Sequence, residues 1–172
     1  MKKRITKFTV KKGINTICWE EYNEQADNWD AYALKCKDKA RPELYQVLGN
    51  FSKSVTEICE LPDEYDNKII PTGIKFSYDT SGKCLLTITA QMVLPIHGDT
   101  ELNINTPSIP SDGIDGYPQS GWSENTGKNV TELEHELWLY INGDRAQTSL
   151  DFDTEIISVP EEKPAMIDQK SA

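Results

Sequence analysis

The sequence predicts an α+β domain: an antiparallel β-sheet or a partly open OB-like barrel in the order β-β-β-α-β-β, followed by a long loop and a C-terminal helix. Three observations carry that expectation. Residues 69–94 hold two β-prone runs that alternate with period two on either side of a turn at 79–83, a strong hairpin pattern. From Pro42, the residues Leu44, Val47, Leu48, Phe51, Val55 and Ile58 recur at three- and four-residue steps, the single apolar stripe of a helix. Three shorter alternating runs precede that helix.

Taken in order, residues 4–10 alternate, with Ile5, Lys7 and Thr9 opposing Thr6, Phe8 and Val10, and Lys11-Lys12-Gly13 supplies a turn. Residues 14–22 make a second strand, Ile17 and Trp19 on one face and Ile14, Cys18 and Tyr22 on the other. Residues 30–37 make a third, with Tyr32, Leu34 and Cys36 inward and Lys35 and Lys37 outward. Pro42 suits the first helical position, where its missing N–H costs nothing, and Leu61-Pro62 closes that helix. In the hairpin, Ile74, Phe76 and Tyr78 share one side of the first strand. Leu86, Ile88, Ala90, Met92 and Leu94 share one face of the second.

Residues 95–128 are rich in Pro, Gly, Ser, Asn and Asp and read as a long loop, with a short strand at 101–105 and with Tyr117 and Trp122 anchoring it to a surface. A second helix is expected from Asn129, whose side chain can cap and whose partner in a capping box is Glu132. Its stripe is Val130, Leu133, Leu137, Tyr140 and Ile141, and Asn142-Gly143 ends it. Residues 1–152 thus read as one domain and 153–172 as a disordered acidic tail.

A chain of 172 residues is long enough for a core that needs no disulfide or metal. No apolar run approaches the roughly 20 residues that cross a bilayer, and the basic start MKKRITKFTVKKG lacks the apolar stretch of a signal peptide. The expected compartment is the cytoplasm. Cys18, Cys36, Cys59 and Cys84 form no CxxC pair and read as buried reduced thiols, with a Cys18–Cys36 bridge between neighbouring strands as the alternative. The net charge of −10 is uneven: residues 1–59 hold 11 Lys and Arg against 8 Asp and Glu, and residues 60–172 hold 7 against 20. A basic front half and an acidic back half imply separate surfaces.

Catalytic patterns are missing. His97 and His135 lie outside any HExxH, HxH or Cys/His grouping, and there is no GxGxxG, phosphate-loop or GxSxG motif. Cys36 stands between Lys35 and Lys37, but in a strand those lysines point away from the thiol. The acidic pairs Asp63-Glu64 and Asp151-x-Asp153 read as solvated charge. The expectation is a protein that is not an enzyme and uses no cofactor or metal.

Two surfaces are left. Lys7, Trp19, Tyr22, Trp29, Lys35 and Lys37 combine cations and rings on the first three strands. Single-stranded nucleic acid is held in this way, with stacking worth about 1–3 kcal/mol per base; the competing role for Phe8, Trp19 and Tyr32 is core packing. Glu132 and Glu136 on the second helix, with Tyr117 and Trp122, form the other candidate, a surface for a protein partner.

The phrases ICELPDEY (58–65), ITAQMVL (88–94), LNINTP (102–107) and YINGDRAQTSLDF (140–152) resemble a group of small uncharacterised proteins from tailed phages and prophages of Gram-positive bacteria. The resemblance spans residues 5–152. It implies an early-region product acting in the host cytoplasm near recombination and single-strand-binding functions, and it supplies no catalytic residues. The expected function is therefore binding: of single-stranded nucleic acid in phage replication or recombination, or of a host nucleic-acid-binding or defence protein that an acidic surface would inhibit.

Overall fold

The computed structural model describes residues 2–94, 100–114, 117 and 120–146. The expected acidic tail over 153–172, His97 and the pair Asp151 and Asp153 lie outside the described residues.

Period-two alternation places the hairpin as expected. β4 (Ile69–Tyr78) and β5 (Cys84–Leu94) are antiparallel, with Ile74 opposite Ile88 and Phe76 opposite Leu86, and all four side chains are buried. Burying each contributes about 1.5–3 kcal/mol, and a slip of one residue would turn the whole row to water, so the register is fixed. In the turn, the Asp79 carboxylate accepts from the Ser81 and Lys83 backbone amides and from the Ser81 hydroxyl. The Ser81 hydroxyl, then the Lys83 amide, hold its carboxyl below the usual aspartate range. Gly82 follows at φ +84°, a left-handed conformation that glycine adopts without a Cβ clash.

β1 (Lys3–Lys11) pairs antiparallel with both β2 (Ile14–Asn23) and β4, and β3 (Asn28–Cys36) pairs with β2. β6 (Thr100–Asn105) and the two-residue β7 (Ile109–Pro110) share the far side of β5. The result is one antiparallel sheet in the order β3-β2-β1-β4-β5-β6, an open path that ends at β3 and at β6 and β7. α1 (Pro42–Ile58) makes the crossover from β3 to β4, joined to β4 by a short 3₁₀ helix, Asp63–Lys68. α1 packs over β4 and β5, and α2 (Glu124–Ile141) packs against α1.

One face of the sheet is covered. Ile5, Phe8, Ile17, Ile74, Phe76, Leu86 and Ile88 meet Leu44, Val47, Leu48, Phe51 and Val55 of α1 and Val130, Leu133, Leu137 and Tyr140 of α2. A β-bulge between Ile5 and Lys7 corrects strict alternation in β1. The extra residue lets Ile5 and Phe8, three positions apart, both point into the core at zero exposure. Asn15, also buried, ties the layers together: its amide donates to the Asp38 carbonyl (3.2 Å) and the Tyr45 hydroxyl (3.0 Å), while the Tyr140 hydroxyl donates to the same carbonyl (2.7 Å).

α2 begins five residues before Asn129. Ser123 is its cap, the hydroxyl accepting from the Thr126 amide at 3.2 Å, and Asn129 lies buried in the second turn, donating to the Asn50 carbonyl of α1. Residues 124–129 carry no apolar side chain, so the helical period starts after the helix does. The 95–128 stretch is accordingly less loop-like than its composition implies, since β6, β7 and the first turn of α2 fall within it. The four cysteines are free and half-buried; Cys18 is opposite Ala33 and Cys36 opposite Asn15, which puts the two on opposite faces. No helix among the described residues is long and apolar enough to cross a membrane.

β1 meets β4 at only three residue pairs, Lys7–Lys75, Phe8–Ile74 and Thr9–Gly73. A Cβ at Gly73 would sit 2.7 Å from Thr9 Cγ2 and 3.0 Å from the Phe8 carbonyl oxygen. Gly73→Ala should therefore destabilise the protein by about 1–3 kcal/mol, the cost of overpacking, read as a lower urea midpoint. Gly49→Ala, which meets nothing within 4 Å on an exposed helical surface, should raise it.

Candidate nucleic-acid interface

The pairing registers sort the strand residues between the covered face and its opposite. On the opposite face, left uncovered among the described residues, β1 presents Lys7, Thr9 and Lys11, with Thr16, Cys18 and Glu20 beside them on β2 and Lys35 on β3. β4 adds Lys75, β5 adds Thr87, Thr89 and Gln91, and β6 adds Glu101, Asn103 and Asn105. Lys7 and Lys75 stand directly opposite one another in the ladder, where antiparallel partners lie about 4.5–5.5 Å apart at Cα. Like charges so placed destabilise a sheet unless an anion intervenes. Lys7, Lys11, Lys35 and Lys75 are all exposed, and none makes an ion pair among the described residues.

Between these cations the surface is short and polar. The Thr89 hydroxyl donates to Asn105 Oδ1 at 3.0 Å, and the Gln91 amide donates to Glu101 Oε2 (2.9 Å) and Asn103 Oδ1 (3.3 Å). Lys7, Thr9, Lys11, Lys12, Thr72 and Gln91 contribute to a shallow groove of about 640 Å³.

One end of this face is aromatic. The Arg4 guanidinium lies 3.9 Å from the Trp29 ring centre and 4.2 Å from that of Tyr78, and its Nε donates to Glu20 at 2.7 Å. Trp29 meets Tyr22 edge to face at 5.4 Å. The Tyr22 hydroxyl donates to the Asp27 carboxylate, which pushes its pKa up.

The sequence-predicted set is thereby divided. Lys7, Lys35, Tyr22 and Trp29 share the uncovered face, and Lys37 is exposed just past the end of β3. Trp19 belongs to the other face: it stands opposite Ile5, stacks on Tyr32 with centroids 5.6 Å apart, and meets Trp138 of α2 edge-on at 6.4 Å. Its packing role prevails because strand parity sends it toward the helices. Tyr32, expected inward, stays 42% exposed because it lies on the outermost strand, with the Trp19 ring as its cover. Lys75 and Lys11 were not singled out by composition. Lys75 alternates outward between Ile74 and Phe76, but only the distant pairing of β4 with β1 brings it beside Lys7.

The candidate protein-partner residues separate as well. Glu136 is 8% exposed, and Arg41 Nη2 donates to both its carboxylate oxygens at 2.8 and 3.1 Å, so this carboxylate is an internal brace between α2 and the residue before α1. Trp122 is half-buried and donates its indole N–H to the Ile109 carbonyl at 2.9 Å. Glu132 is partly exposed and 3.8 Å from Lys128, and Tyr117 is 64% exposed. Among the described residues, no group of three or more His, Cys, Asp and Glu side chains is placed to hold a metal ion.

Comparison of the chain with protein-family models, with curated proteins and with solved structures gives no match.

Two carboxylates of α2 generate opposite predictions. Glu136→Gln leaves the Arg41 guanidinium without its main counter-charge and should lower stability by about 1–3 kcal/mol in chemical denaturation. Glu134 is raised above the ordinary glutamate value by burial. With a folded pKa above the unfolded one, the stability Glu134 contributes is complete below the unfolded pKa and is lost as pH rises through the folded value. Glu134→Gln should therefore raise the thermal midpoint at pH 7, and the gap from wild type should close near about pH 4.

Proposed function

We propose that this protein acts by binding single-stranded nucleic acid across the uncovered face of its sheet, without catalysing a reaction on it. The observation that supports this reading is the set of four lysines on that face, Lys7, Lys11, Lys35 and Lys75, all lacking an internal ion-pair partner among the described residues. Phosphates taken between Lys7 and Lys75 would relieve a repulsion built into the ladder. Asn103, Asn105, Gln91 and the threonines offer donors and acceptors to unpaired base edges, and Trp29 with Tyr22 offers rings at one end. Because Arg4 already lies against the Trp29 ring, cationic and polar contacts outweigh stacking in this account. The setting belongs to the same proposal: an early-region phage or prophage product working in the host cytoplasm during replication or recombination. The acidic alternative draws less support, since Glu136 is engaged with Arg41 and leaves Glu132 as the exposed member of its pair.

Each phosphate neutralised on a single strand adds about −0.7 to the slope of log affinity against log salt, so four contacts give a slope of about −3. Fluorescence anisotropy of a labelled single-stranded oligonucleotide should show about micromolar binding at 50 mM salt that weakens along that slope. Lys7→Glu with Lys75→Glu should weaken binding by about tenfold or more, whereas Lys53→Glu on α1 should change it little. No binding at 50 mM salt, or equal losses from the two sites, would contradict the proposal.

A further inference from the structure

β3 ends the sheet, and no strand lies beside its outer edge among the described residues. Proteins blunt such edges with bulges, prolines, short strands or charges set along the strand. β3 has none of these in its centre. Nine consecutive pairs to β2 run without a register shift, the strand contains neither Pro nor Gly, and Ala31, Tyr32, Ala33 and Leu34 carry no charge. Ala31, Tyr32 and Ala33 are exposed, and α1 packs away from this edge, over β4 and β5, so no described element covers the centre of β3's outer edge. The opposite edge differs, since β6 has six residues, carries Glu101 and is followed by Pro107.

Charge is found at the two ends of the β3 region and its net sign is opposite at the two, since Asp38, which stands among the basic residues, is itself paired with Arg145 at 3.8 Å. Glu24, Asp27 and Asp30 lie at the end nearest β2, and Lys35, Lys37 and Lys39 at the other. None of the six forms an ion pair among the described residues.

We infer that the partner of this edge is a second copy of the chain, paired antiparallel along β3 about a two-fold axis. Antiparallel pairing lays the acidic end of each copy beside the basic end of the other, twice by symmetry, whereas a parallel arrangement would oppose like charges. Residues on one face must meet residues on the same face, which allows a register centred on Tyr32 or one centred on Ala33. In the first, Trp29 meets the partner's Lys35; in the second, the partner's Lys37; either is a cation–π contact. The axis is perpendicular to the sheet, so the two uncovered lysine faces become one surface. The inference stands on the edge strand and its charges and does not rest on nucleic-acid binding.

Sedimentation equilibrium of the full chain, free of nucleic acid, tests it. The mass should rise with concentration toward twice 19.5 kDa at low salt and fall back as salt is added. Lys35→Glu with Lys37→Glu should weaken association by about tenfold or more, and adding Glu24→Lys with Asp30→Lys should restore it, with circular dichroism showing all variants folded. Ala33→Lys, a charge at the exposed centre of the edge, should by itself give a monomer. A 19.5 kDa species at every concentration up to about 200 µM, a dimer indifferent to the lysine reversals, or a folded four-substitution variant that stays monomeric would each overturn the inference.

Discussion

The three-pair junction between β1 and β4 is the constraint on which the rest of this molecule depends. Through it a three-stranded front section and the β4–β5 hairpin become one sheet, and without it α1 would have no continuous surface to cross. The junction requires close backbone approach, which Gly73 permits by presenting no side chain to Thr9 and the Phe8 carbonyl. It also dictates which residues face which way. Phe8 and Ile74 are directed at the helices, and on the reverse Lys7 is set against Lys75. A buried apolar pair and an exposed repelling pair are thus consequences of the same register.

That register leaves the sheet with two unlike faces. The helices cover one and carry carboxylates of their own, including Glu57, Asp63, Glu64, Glu124 and Glu132. The other keeps lysines, threonines and amides in water, with Glu20 and Glu101 among them. The net charge of −10 is therefore a poor guide to the uncovered side, where Lys7, Lys11, Lys35 and Lys75 outnumber Glu20 and Glu101. Electrostatic steering acts over about a Debye length, 8–10 Å at physiological salt, so the local face governs the encounter more than the total does.

Local patterns were legible in the sequence wherever a periodic apolar signal marked them. Pro42 opened α1 as expected, the Leu44-to-Ile58 stripe faces the core, and the hairpin residues Ile74, Phe76, Leu86 and Ile88 are buried in the predicted alternation. Three things were hidden, each for a physical reason. The start of α2 is polar because Thr126 in its first turn and Asn129 in its second bond to α1 through Ser54 and the Asn50 carbonyl rather than packing by apolar contact. The bulge in β1 breaks period two, so Ile5 joins Phe8 in the core. The site itself was half visible: Lys7 and Lys35 alternate outward within their strands, but Lys75 joins them only through a pairing 68 positions away in sequence, and composition cannot tell that Trp19 faces the helices.

The central claim is that the uncovered face, with its opposed lysines, is the binding surface. Amide chemical shifts recorded while an unlabelled single-stranded oligonucleotide is added to isotopically labelled protein test it most directly. The account predicts perturbations that concentrate at Lys7, Thr9, Thr16, Lys75, Thr87 and Thr89 and leave the exposed positions of α1 and α2 unmoved. Perturbations centred on the helices, or none at an oligonucleotide excess and low salt, would contradict it.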